Sequence, residues 1–215
     1  MIAVSAARTG FPKPGNQETM DQQSAPRRTD AIENAERVLT AALALYDERG
    51  LQAEMREIAA RAGVGVGTVY RNFPTKDDLT NALVQQIFGQ WRANLIEAEM
   101  AEDPLSALTQ ILMRQQELVR RHPWLAELQL RPQVLQEATM TGLADLASMQ
   151  QATMERVVQR AIDRGDFRAG LDVPLVAVLF SVAGHPDVFE RAGAGRSAHE
   201  MAEAVLALFQ NGIGA

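Results

Sequence analysis

The stretch Met55-Arg-Glu-Ile-Ala-Ala-Arg-Ala-Gly-Val-Gly-Val-Gly-Thr-Val-Tyr-Arg-Asn-Phe-Pro-Thr-Lys76 concentrates residues whose types and spacing suit chemistry with an external partner. Val69 and Phe73 stand four apart and so share one side of a short helix, which turns Thr68, Arg71 and Asn72 to the other. A hydroxyl, a guanidinium and an amide on one narrow helical face are the donors and acceptors that read base edges in a DNA major groove. Tyr70 and Lys76 stand within the same stretch. Plain roles exist for both, a lid on a small core and a solvated charge, but their company with Arg71 favours a functional one. Arg56 and Arg61 admit a functional and a plain reading equally, the plain one for Arg61 being an ion pair with Glu57 one turn earlier.

To hold those side chains in place, two helices must cross closely. Ala59 is small at the crossing, Gly63 suits a left-handed turn, and Ile58, Val64 and Val69 fill a miniature core, which together predict a helix-turn-helix over 54–61 and 65–72. The run Gly63-Val-Gly-Val-Gly67 lacks the glycine spacing, preceding strand and Lys-Ser/Thr ending of a phosphate-cradling loop, so nucleotide binding there is rejected. An apolar stripe through Ile32, Val38, Leu39, Ala42, Leu45 and Tyr46 predicts a preceding helix over 30–49, with Asp30 and Glu33 as its capping pair and Gly50 at its exit. Thr75 and Asp78 read as the capping box of a long following helix. Arg27 and Arg28 precede the first helix and read as a solvated tail, or alternatively as an arm toward the DNA backbone or minor groove.

This stretch resembles the DNA-binding domain of the tetracycline-repressor (TetR) family of transcriptional regulators, over about residues 29–83. The resemblance rests on Ile58-Ala-Ala-Arg-Ala-Gly-Val64, Gly67-Thr-Val-Tyr70 and Phe73-Pro-Thr-Lys-Asp-Asp-Leu79, in the family's order and spacing. It implies that Val66, Gly67, Thr68 and Arg71 lie against base edges or nearby sugar, with Tyr70 and Lys76 on phosphates and Arg56 and Arg61 as weaker phosphate candidates. Three positions depart from the family pattern: Gly65 stands where a capping serine is common, and Ala53 and Glu54 where threonines often are. Glycine at an N-cap costs only a few tenths of a kcal/mol, so Gly65 is tolerable while one phosphate contact is lost.

Behind residue 80 the chain continues as helical patterns. Asp103 and Pro104 open one that ends before Pro123, a short one covers 124–130, and a long one runs from Pro132 to Arg164, where Gly165 and Asp166 stop it. Two more cover 173–184 and 197–210, joined by a loop with Gly193 and Gly195. Strand signals are almost absent. The fold class is therefore all-α: an N-terminal three-helix helix-turn-helix domain and a C-terminal helical bundle. The expected boundaries are a flexible tail at 1–28, the DNA-binding domain at 29–76 and a ligand-binding and dimerisation domain at 77–215.

The segment from Arg164 to Pro174 resembles the family's link into the penultimate helix, which implies that the last two helices dimerise. Leu175, Leu179, Val182, Met201, Val205 and Leu208 are the interface candidates. The resemblance also implies a small-molecule pocket among the middle helices, for which Phe88, Trp91, Met113, Trp124, Met140, Met149 and Phe180 are candidate walls and an apolar or amphipathic compound the expected occupant. Such residues at helical spacing are also ordinary core. His185, beside Pro186 and Asp187, reads as a helix-end residue in preference to a polar anchor.

Composition sets outer bounds. The 215 residues carry a net charge of −6, with the acidity mainly in the rear, which excludes a protein that simply coats nucleic acid. There is no cysteine, and His122, His185 and His199 are too scattered to suggest a metal site. No apolar run of 18 residues or secretory leader is present, so the chain reads as soluble and cytoplasmic, without membrane contact. No nucleophile elbow, zinc motif or cofactor fingerprint appears, so neither an enzyme nor a cofactor is expected. The function expected is a homodimeric, sequence-specific regulator that represses from an approximately palindromic operator until a small molecule releases it. The alternative is a helix-turn-helix protein whose rear domain binds a protein partner, and a filled rear core would favour it.

Overall fold

In the computed structural model, which describes residues 24–185, 188 and 195–211, nine α-helices and two 3-10 turns are found and no strand. The helices are α1 Ser24–Arg49, α2 Met55–Ala62, α3 Val66–Asn72, α4 Lys76–Met100, α5 Pro104–Arg121, α6 Trp124–Gln129, α7 Glu137–Arg164, α8 Val173–Ala183 and α9 Ala198–Asn211. Expectations for residues 1–23, for Pro186 and Asp187 and for Gly193 lie outside the described residues.

Two helix starts differ from the sequence reading. Helix α1 begins at Ser24, so residues 24–28 are helical rather than tail, and Asp30 and Glu33 sit inside the helix instead of capping it. Pro26 falls in the first turn, where proline's missing N–H deprives no intrahelical bond. The long pattern after Pro132 is broken into a 3-10 turn, Pro132–Val134, and α7 from Glu137. Asn81 on α4 fixes that break: its amide donates to the Val134 carbonyl at 2.8 Å, and its oxygen accepts from the Gln136 N–H at 2.9 Å. The expected signals hold at Asp103, which caps α5 ahead of Pro104, and at Thr75 and Asp78, whose side chains reciprocally bond each other's backbone N–H.

The apolar residues divide into two cores. The front one joins Val38, Ala42, Leu45, Tyr46, Ile58, Val69, Leu79 and Leu83, and it also takes in Trp124 and Leu128 from α6. The rear one gathers Trp91, Leu95, Leu108, Ile111, Met154, Val158, Phe167 and Phe180 with Val205 and Leu206. Arg160 on α7 closes the end of α4 by donating to the carbonyls of Glu99, Ala101 and Glu102. Gly50 has φ +64°, and the Glu127 carboxylate of α6 occupies the place a side chain there would need, so α1 turns sharply against α6.

Candidate nucleic-acid interface

Helix α2 is preceded by its N-cap Glu54, whose backbone N–H donates to the Glu57 carboxylate at 3.0 Å. That bond first, then the Arg49 guanidinium, holds Glu57 below the usual carboxylate range. A Glu/Glu arrangement thus does the capping at a position where the family pattern has threonines. The helix ends at Gly63 with φ +66°, the left-handed conformation expected of the turn. Ala59 is buried at the crossing and Val69 is fully buried beneath it.

Helix α3 has two turns, and its N-cap, Gly65, contributes no side-chain bond. The Gly65 carbonyl accepts from the Thr68 and Val69 N–H groups, so the helix closes on backbone alone. With Val69 and Phe73 inward, Val66, Gly67, Tyr70 and Arg71 face out, and Tyr70 is 48% exposed. Apart from its chain neighbours and the backbone of its own helix, no protein atom lies within 4 Å of where a Cβ at Gly67 would stand. The fold therefore leaves room at that spot for another body to approach the backbone. Thr68 is half-buried at the edge of the face, and Asn72 turns its amide back to the Thr68 carbonyl at 2.9 Å, which removes one of its donors from the outward set.

The cations around α3 separate into free and committed groups. Among the described residues, neither Arg56 nor Arg71 forms an ion pair, and both are exposed. Arg61 pairs at 2.7 Å with Glu48 of α1, not with Glu57, and Glu57 is taken by Arg49. Lys76 is half-buried and donates to the Leu51 carbonyl, which ties α4 to the turn after α1. Burial, then the nearby Arg131 guanidinium, lowers the Lys76 pKa. The structure thus brings together Val66, Gly67, Tyr70 and Arg71 as an outward face, with Arg56 on the neighbouring helix. It gives Lys76 a bond inside the protein as well.

The rear candidates do not converge. Trp124 is fully buried in the front core, not the rear one, with its ring edge-on to Tyr46 at 5.3 Å and its indole N–H donating to Asp47 at 2.9 Å. Phe180 is fully buried in an aromatic stack with Phe209 at 4.7 Å and Phe167 at 6.2 Å. Met140 is exposed, and Phe88, Met113 and Met149 are half-buried on three different helices. Trp91 is buried with its indole on Gln150 and borders a cleft of about 310 Å³ between α4 and α5. Gln90, Asn94, Arg114, Leu118 and Arg121 line it, and His122 lies at its end. His122 in turn bonds Asp47 of α1 at 2.7 Å, a link that the wide separation of the two residues hides from the sequence.

The interface candidates split by face. Leu175, Leu179 and Val182 on α8 are about half exposed together with Val178, and Leu208 on α9 joins them in exposure. Met201 and Val205 turn inward, each only 8% exposed, because α9 packs along α5 through that side. They belong to this chain's own core, and the outward apolar edge of α9 is Leu208.

Among the described residues, no helix is long and apolar enough to cross a membrane, and no group of three or more His, Asp and Glu could hold a metal. Residues 38–83 match the family described as bacterial regulatory proteins, tetR family. The HTH-type transcriptional repressor KstR of Mycolicibacterium smegmatis is 31% identical over 136 residues, 62% of this chain and 65% of that relative. The chain thus spans a little under two thirds of that repressor's length. A TetR transcription regulatory protein from Mycobacterium vanbaalenii is similar in structure, with 28% identity, a TM-score of 0.59 and coverage of 83% of this chain and 98% of that one. AibR, solved with isovaleryl coenzyme A and operator DNA, shares the fold at 17% identity and a TM-score of 0.61, over 82% and 98% of the two chains.

Proposed function

Since the chain belongs to the tetR family of bacterial regulatory proteins, we propose that it is a homodimeric repressor that grips an approximately palindromic operator through α3 and leaves it when a small amphipathic molecule binds. The observation that carries this reading is the outward face of α3, where Arg71 stands without an acid partner among the described residues, beside Tyr70 and the open backbone of Gly67. An unpaired guanidinium on a helix two turns long is placed to fork onto a guanine edge. Tyr70 and Arg56 take phosphates on either side, and Lys76 reaches a phosphate by exchanging or sharing its bond to Leu51.

Two copies joined through Leu175, Val178, Leu179, Val182 and Leu208 would present two α3 helices related by a two-fold axis, which is the symmetry of a palindrome. The α4–α5 cleft is the proposed ligand site. Its Trp91 and Leu118 suit an apolar body, and Asn94 and Arg114 suit a polar group. Its occupant would move the end of α5, where His122 and, through α6, Trp124 share the Asp47 carboxylate of α1. A ligand that favours the released state about 5–150-fold would weaken operator binding by the same factor, and DNA would weaken ligand binding equally. Its relatives are transcriptional regulators, and the chain is read as no enzyme.

A second reading rests on Phe180, whose stacking with Phe167 and Phe209 fills the space where a ligand wall was expected. In it, the rear domain answers to a protein partner. Fluorescence anisotropy of a duplex selected by the wild-type chain, repeated with a metabolite library, tests the proposal. Release by a compound that also changes Trp91 emission supports it. Operator binding indifferent to every compound favours the second reading, and failure to select any duplex removes the first.

A further inference from the structure

The weakest part of the reading face is its attachment. Helix α3 is too short to persist by itself, has no capping side chain, and hangs from a turn made of Gly63, a half-buried Val64 and Gly65. At the end of α2, the Ala59 and Ala60 carbonyls accept from the Gly63 N–H, and Ala59 also accepts from the Val64 N–H. The next carbonyls along the turn look outward from the helix end and need a donor from elsewhere.

Arg37 of α1 supplies it. One guanidinium nitrogen donates to the Ala62 carbonyl at 2.6 Å and to the Gly63 carbonyl at 3.1 Å. The same nitrogen lies 2.8 Å from where a Cβ at Gly63 would stand, so Arg37 spans the turn at contact distance. A cation at a helix C-terminus is also favoured by the aligned peptide dipoles. Arg37 forms no ion pair among the described residues, although Glu33 and Glu36 line the same shallow groove between α1 and α2. Its charge is therefore directed to the turn and not to an acid.

We infer that Arg37 is a positioning residue for DNA reading: from α1 it clamps the α2–α3 turn and so fixes the angle at which Val66, Gly67, Tyr70 and Arg71 meet the duplex. The inference rests on the DNA-binding reading of α3. In the free protein the same fork holds the turn together with the Gly63 and Val64 N–H bonds. A phosphate contact and a clamp differ in what they do to specificity. Loss of a clamp misaims the reading residues and spares the sequence-independent attraction, whereas loss of a phosphate contact weakens all duplexes alike and lowers the salt dependence.

The test compares Arg37→Met, which keeps the apolar stem and loses the fork, with Arg37→Lys, which keeps a single charged donor. Amide hydrogen exchange of the full chain without DNA is read first. The Met variant should exchange at least about fivefold faster at Val64–Val69 while Leu83 in the front core is unchanged, with Lys in between. Unchanged exchange at the turn overturns the proposal whatever the DNA result. Against the duplex selected by the wild-type chain and a scrambled duplex, Arg37→Met should lose about tenfold or more on the first and less than about twofold on the second, at an unaltered salt slope. Equal losses on both duplexes, with a slope smaller by about 0.9, would instead make Arg37 a phosphate ligand. Faster exchange at the turn with no duplex selected even by wild type would leave the clamp standing and overturn its role in DNA reading.

Discussion

Helices α3 and α8 both present faces that the folded chain leaves uncovered, and the two faces are chemically opposite. On α3 the outward set is Val66, Gly67, Tyr70 and Arg71, which has no ion-pair partner among the described residues, whereas on α8 it is Leu175, Val178, Leu179 and Val182. Hydration of a guanidinium costs nothing to keep, so Arg71 waits in water without penalty for an anionic partner. An exposed aliphatic stripe of this kind is favoured only when another apolar surface covers it. The difference matches the partners proposed above: a polyanion read through hydrogen bonds for α3, and a second copy of α8 and its neighbour α9 for the apolar stripe.

The largest effect should come from breaking the apolar side of that contrast. Leu179→Glu is expected to yield monomers with near-normal thermal stability and to lower operator affinity on the order of a thousandfold, the low end of the gap between specific and non-specific binding. Val205→Glu places its charge in the rear core instead, so it should cost on the order of 3 kcal/mol of stability before any question of dimers arises. Sedimentation and thermal melts separate the two, and a stable Leu179→Glu dimer would move the interface off α8.

On the polar side, Arg71→Ala should weaken operator binding by about 1–3 kcal/mol and relax base preference at one position of each half-site. Lys76→Ala should weaken all sequences together and lower the salt slope by about 0.9. Because Lys76 also holds the Leu51 carbonyl, some loss of stability should accompany it. Titrations at several salt concentrations distinguish the pair, and base preference unchanged in Arg71→Ala would show that α3 reads through other residues.

The smallest effect concerns the cap that seats α4 behind α3. Hydrogen bonds from Thr75, side chain and backbone, hold Asp78 below the ordinary carboxylate range. A lowered folded pKa contributes stability that is present above the unfolded value and lost as pH falls through the folded one. Asp78→Asn should therefore melt lower than wild type at pH 7, with the gap closing in acid below about pH 4, the ordinary Asp value. A gap that persists undiminished at pH 2 would mean that the substituted amide fails for reasons of shape rather than charge.

The two regions also differ in how far the sequence discloses them. Every residue of the proposed reading face lies within two short helices and a turn, so periodicity around Val69 and Phe73 is enough to turn Arg71 outward; it turns Thr68 and Asn72 outward as well, where the structure leaves both half-buried with the Asn72 amide on the Thr68 carbonyl. The placement of Trp124 depends on Tyr46 and Asp47, far back along the chain, and no local pattern says that α6 packs into the front core. On α9 two apolar stripes run side by side, and periodicity alone does not decide which faces inward. Packing along α5 puts Met201 and Val205 inside and leaves Leu208 out. Proline composition likewise misplaces the start of α1, since Pro26 is as compatible with a first helical turn as with a tail.

Selection of duplexes from a randomised pool by the full-length chain, followed by measurement of how many chains bind each enriched duplex, tests most directly that two α3 helices read DNA about a two-fold axis. The account predicts an approximate palindrome with half-sites about one helical turn apart, or a multiple of it, bound by an even number of chains and lost with Arg71→Ala. Enrichment of a single asymmetric site bound by one chain, or of no sequence at all, would contradict it.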